Sequence, residues 1–150
     1  MTEVLFYHLQ RQPLEKVLPT LLEKSLERGW RALVRATTDE RLAALDDHLW
    51  TYADESFLAH GTEREADASE QPVVLTLSER NVNGAAVLFL VEGAPIPEDA
   101  SGYQRLVLLF DGNDEDALAA ARAQWKTVKS AGHDATYWQQ DARGRWEKKA

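Results

Sequence analysis

Four side chains near the C-terminus have the types and the spacing to bind an anion. Arg122, Trp125, Lys126 and Lys129 stand at i, i+3, i+4 and i+7, so on a helix they project along one face of about two turns. A guanidinium takes a carboxylate bidentately, a lysine ammonium adds less directional charge, and the indole offers an apolar wall. Such a face suits a ligand with one apolar group and one or more carboxylates. The same spacing also suits a core tryptophan beside a solvated cationic stripe. A basic groove with aromatics is, in addition, the usual platform for single-stranded nucleic acid. Spacing alone does not choose among the three, although the acidic remainder of the chain counts against the last.

A second group lies between residues 49 and 60. Trp50 ends an amphipathic helical pattern and Phe57 sits in the short link before a polar stretch. Two large aromatics flanking an irregular segment are good anchors for a protein interface; they serve equally well to plug the end of a core.

Catalytic patterns are missing. The chain has no G-x-x-x-x-G-K-[ST] run and no G-x-G-x-x-G after its first apolar segment, so the common phosphate loops are excluded. Gln10, Gln12 and Pro13 stand where a glycine-rich loop would let backbone amides close around a phosphate. The histidines at 8, 48, 60 and 133 include no i, i+4 pair, which argues against a zinc site. His60 is read as a structural hydrogen-bonding group with Asp54 or Glu55 as partner. Asp46 and Asp47 are read as a solvated helix face, and no serine stands in a G-x-S-x-G elbow.

The elements that must position these groups alternate between strand and helix signatures. Residues 4–9 read as a first, central strand. Pro13 opens a helix with Leu14, Val17, Leu18, Leu21, Leu22 and Leu26 on one stripe. Pro19 inside it predicts either a kink or an early start, and Gly29 ends it. Residues 30–35 form the second strand, and Thr38 or Asp39 caps a helix that carries Leu42, Leu45 and Leu49. Residues 61–71 are polar and read as a mobile surface loop. Strand-like runs follow at 73–77, 86–91 and 105–110. The segment 111–114 is a turn and cap before an alanine-rich helix over 115–131, stopped by Gly132. Tyr137, Trp138 and Trp146 give the tail the bulk for a final strand. A β-α-β-α beginning points to a mostly parallel sheet, so the expected architecture is one three-layer α/β/α domain over residues 1–150.

Composition narrows the function classes. The 150 residues contain no cysteine and carry a formal charge of −8. Zero cysteines exclude a disulfide framework, thiolate metal sites and a cysteine nucleophile. The charge argues against a protein that coats nucleic acid with its whole surface or attaches to an anionic membrane. That charge is unevenly spread, with −12 over residues 1–117 and +4 over residues 118–150. An acidic body with a basic C-terminal fifth indicates a local anion-binding surface. The N-terminus has no cationic, apolar leader pattern, and no run approaches the length of a membrane span, so a cytoplasmic protein is expected.

Three strings carry a family resemblance. They are Phe6-Tyr7 in the first strand, L-W-x(4)-E-S-F-x-x-H (Leu49, Trp50, Glu55, Ser56, Phe57, His60) and R-x-x-W-K-x-x-K-x-A-G (Arg122, Trp125, Lys126, Lys129, Ala131, Gly132). In these, and in the order of its elements over nearly the whole length, the chain resembles the chi subunits of the bacterial DNA polymerase III holoenzyme, accessory proteins of the clamp-loader complex. The resemblance implies a Rossmann-like α/β/α fold that uses no cofactor and performs no catalysis. It implies a connector that grips the acidic C-terminal tail of single-stranded DNA-binding protein, which ends in aspartates, a phenylalanine and its carboxylate, so that contact with DNA is indirect. Carried over by position, Arg122, Lys126 and Lys129 hold the acidic groups, Arg122 nearest the terminal carboxylate, and Trp125 borders the phenylalanine slot. Trp50 and Phe57 match a separate surface for psi, another clamp-loader subunit or a helicase. Trp125 replaces the family's usual tyrosine, Ala59 stands where a proline is common, and residues 139–150 form an extension particular to this chain.

Overall fold

Strand β1 (Glu3–Leu9) divides its side chains between two cores. Leu5 and Leu9 enter one, Val4 and Phe6 the other, as the alternation of a strand buried on both faces requires. The structure, a computed structural model, describes residues 2–10, 12–51, 60–97 and 100–150. After β1 the chain forms α1 (Leu14–Glu27), β2 (Ala32–Arg35), α2 (Asp39–Thr51), β3 (Gly61–Thr62), β4 (Val73–Thr76) and β5 (Val87–Val91). It continues through β6 (Arg105–Asp111), α3 (Glu115–Ser130), β7 (Asp134–Gln140) and β8 (Trp146–Lys148).

Among the described residues the strands form one eight-stranded sheet in the order β3-β4-β2-β5-β6-β1-β7-β8. Every neighbouring pair is parallel except β7 and β8. The leucine stripes of α1 and α2 join Leu5, Leu9, Val34, Phe89 and Leu109 on one face. Ala121 and Val128 of α3 join Val4, Phe6, Leu88, Leu106 and Leu108 on the other. This is the expected three-layer α/β/α domain, with β1 inside the sheet between β6 and β7.

Pro19 neither breaks α1 nor starts it. Its ring removes the N–H that would bond the Glu15 carbonyl, and the His48 Nε2–H of α2 donates to that carbonyl instead. The residue that costs α1 one internal bond thus opens a docking point for α2. His48→Ala leaves the carbonyl without this donor, and a loss of about 1–2 kcal/mol is expected from the urea midpoint. An unchanged midpoint would show that the contact contributes nothing.

Two segments depart from expectation. Residues 61–71 are not wholly irregular: Gly61 and Thr62 pair with Val74 and Leu75 at the sheet edge, and Ala68 is buried in a short turn of 3₁₀ helix. Two of their acidic side chains bond backbone. Glu65 accepts the Thr62 N–H at 2.8 Å and Glu63 the Leu77 N–H at 3.1 Å. The tail contains two strands where one was expected, and the extension begins within β7. Asp141 accepts the N–H groups of Arg143 and Arg145 at 2.8 and 2.9 Å, and Gly144 takes the positive φ of 80° that the reversal demands. The hairpin brings Trp146 edge-on to Tyr7 at 4.9 Å, with Trp138 stacked on Tyr7 at 6.4 Å.

Candidate functional site

Helix α3 is fixed at both ends. Asp114 accepts the N–H groups of Asp116 and Ala117 at 3.0 and 3.3 Å, a side-chain N-cap. Gly132, at φ 83°, turns the chain toward β7. Ala121 and Val128 face the sheet, and this sets the rotation of the remaining positions. Arg122, Lys126 and Lys129 are exposed and Trp125 is half-buried. None of the three cations forms a salt bridge among the described residues.

Trp125 occupies the seam between core and cations. Its indole meets Phe6 edge-on at 5.3 Å and Tyr137 edge-on at 5.9 Å, and the Lys129 ammonium lies 5.6 Å from its ring centre, within cation–π range. The four residues named from their spacing therefore do form one surface, an indole flanked by exposed cations that form no salt bridge among the described residues. Phe57 lies outside the described residues, and of Trp50 only the backbone, in the last turn of α2, is described.

Behind Arg122 lies a group that sequence reasoning did not pick out. His8 is buried, and its Nδ1 stands 2.6 Å from the Tyr137 hydroxyl. Phe110 packs beside both rings, at 5.2 Å from His8 and 6.0 Å from Tyr137. Burial, then the Arg122 charge, holds the His8 imidazole below its ordinary pKa, with Asp111 opposing. Burial pushes the Tyr137 phenol up, with Arg122 opposing. Both groups are therefore neutral near pH 7. The available signal was strand parity, since His8 follows Val4 and Phe6 at two-residue steps and so shares their face.

A cleft of about 670 Å³ opens at the C-terminal ends of β1 and β6, where the chain leaves β1 toward α1 and β6 toward α3. That reversal is the usual ligand position in an open α/β sheet. Leu9, Leu109 and Phe110 line it, with Gln10, Gln12 and Pro13 at its lip. Of the carboxylates that line it, Glu15 is bound to Arg41 at 2.9 Å, and the Arg41 Nε reaches both oxygens of Glu92 at 2.8 and 2.7 Å. Burial raises the Glu15 carboxyl, but its own backbone N–H and Arg41 outweigh burial and hold it below the ordinary range. A general acid or base near neutrality needs the opposite shift.

His60 does have a structural contact, and one with an acid not expected. Its Nε2 lies 3.0 Å from the Asp46 carboxylate and 3.1 Å from the Asp46 carbonyl, so Asp46 is more than a solvated helix residue. Asp54 and Glu55 lie outside the described residues. No cluster of three metal-ligating side chains occurs among the described residues, and no described helix is long and apolar enough to cross a membrane.

A doubly covered, mostly parallel sheet without a phosphate loop, whose last helix carries exposed cations around an indole with no salt bridge among the described residues, defines a Rossmann-like α/β domain with a local cationic surface. The sequence matches the family described as DNA polymerase III chi subunit, HolC, over residues 1–136, and the chain belongs to that family. It is also similar to a protein of Rickettsia prowazekii (strain Madrid E) named probable DNA polymerase III subunit chi. The two are 24% identical over 117 residues, which cover 74% of this chain and 71% of that protein. Family membership gives the chain an accessory role in DNA replication, with partners inside the polymerase complex. The match ends within β7, so the β7–β8 turn and β8 lie beyond it.

Proposed function

We propose that the protein is a non-catalytic adaptor that binds the acidic C-terminal tail of single-stranded DNA-binding protein and links it to the clamp-loader complex. The observation that carries this reading is the set of exposed cations Arg122, Lys126 and Lys129, in no salt bridge among the described residues, around the half-buried Trp125. A terminal carboxylate takes the guanidinium fork of Arg122, the aspartates lie along Lys126 and Lys129, and the phenylalanine ring packs beside Trp125. The acidic body repels nucleic acid while this face attracts an acidic peptide, so the contact with DNA is indirect. The reading calls for no cofactor and places the protein in the cytoplasm, at the replisome.

The test is a titration of a fluorescein-labelled acidic peptide, ending in aspartates and phenylalanine, by anisotropy at two salt concentrations. Binding that weakens with salt is expected, because exposed charges are screened. Absence of binding by the wild-type chain overturns the proposal.

The second half of the proposal assigns Trp50 and Phe57 to psi, another clamp-loader subunit or a helicase. Trp50→Ala and Phe57→Ala should abolish pull-down of the clamp loader and leave peptide binding intact. Equal loss of both activities would mean a single surface or a misfolded chain.

A further inference from the structure

His8 is 7% exposed and closes the row Val4, Phe6, His8 on the α3 face of β1. Its ring orientation is set by the 2.6 Å contact between Nδ1 and the Tyr137 hydroxyl. The opposite nitrogen, Nε2, has no hydrogen-bond partner among the described residues. It faces Gly112, where a Cβ would collide with the Nε2–Cδ2 edge of the ring. In glycine that direction is taken by a Cα hydrogen. A hydrogen on Nε2 would be a buried donor with no acceptor among the described residues, the rarer and costlier kind of orphan, whereas a bare nitrogen leaves no N–H to satisfy.

The imidazole is neutral, so its single hydrogen belongs on Nδ1, which then donates to the Tyr137 oxygen. The hydroxyl hydrogen of Tyr137 is left uncommitted. Tyr137 is half-buried, its ring lies edge-on to Trp125, and Arg122 is one helical turn before Trp125 on the same face. We propose that the Tyr137 hydroxyl, set by His8, is a second hydrogen-bond donor beside Arg122 to the terminal carboxylate of the bound peptide. This rests on the reading of the α3 face as an acidic-peptide site. The electrostatic influence of Arg122 on both His8 and Tyr137 accords with one shared cluster. A neutral donor next to a guanidinium selects a carboxylate by direction as well as by charge, and it distinguishes a chain end from a scatter of aspartates.

Tyr137→Phe keeps the ring that supports Trp125 and deletes only the hydroxyl. In the full-length chain it should weaken a free-carboxylate peptide about tenfold and leave the same peptide with an amidated C-terminus unchanged. Equal affinities for wild type and variant, or equal losses on both peptides, overturn the carboxylate role. Nitrogen-15 NMR of the His8 ring supplies a reading independent of the peptide. A protonated Nδ1 is expected, and a protonated Nε2 overturns the arrangement. Wild-type protein that binds neither peptide overturns the proposed function, and this inference with it, whatever the tautomer.

Discussion

Arg122→Ala should lower the affinity for an acidic, phenylalanine-ended peptide by about 1.5–3 kcal/mol, roughly 10- to 150-fold, the scale of a hydrogen bond to a charged group. Arg122 is exposed and forms no ion pair among the described residues, so its removal breaks no internal salt bridge and stability should change little. Lys126→Ala and Lys129→Ala should each cost less, because an ammonium on a flexible stem gains less per contact than a planar fork. Their effects should also shrink more in high salt. Anisotropy titrations of the three variants at two ionic strengths check the order. An Arg122→Ala variant with wild-type affinity would remove Arg122 from the site.

Phe6→Ala should cost about 3–5 kcal/mol of stability, the range for emptying a buried aromatic site. Phe6 is fully buried, and its ring is the surface on which Trp125 stands at 5.3 Å and Tyr137 at 6.5 Å. Against a typical total of about 5–15 kcal/mol this is a large share. A urea unfolding curve should show a lower midpoint with an unchanged slope. Where the variant still folds, peptide binding should weaken as well, because the indole has lost its floor. A cost below about 1 kcal/mol would show that α3 settles into the vacated space and that the ring is not needed to hold it.

The parts of this molecule that follow from local periodicity were legible. The apolar runs become strands buried on both faces, as in Val87–Val91. The leucine stripes of α1 and α2 become one core face, and the i, i+3, i+4, i+7 spacing puts Arg122, Trp125, Lys126 and Lys129 together because a helix leaves no other arrangement. What depends on register between distant segments was not legible. His8 and Tyr137 are 129 positions apart and meet only because β1 and β7 pair with Phe6 opposite Tyr137. Pro19 left two readings open until α2 proved to carry His48 over the Glu15 carbonyl. The edge strand at Gly61–Thr62 was hidden because its neighbours are polar, and their carboxylates bond the backbone rather than water alone.

The pairing of β1 has a consequence for synthesis on the ribosome. Glu3 is opposite Arg105 on one side and Asp134 on the other, so β1 has no partner until about two thirds of these residues have been made. Closing contacts over so long a separation costs loop entropy before any pairing energy returns. Strand β1, apolar on both faces, must therefore wait unpaired, while β2, β3 and β4 already have one another to pair with. The segment that supplies the partners of β1 also carries α3, so the sheet and the cationic helix face are completed together, late in synthesis.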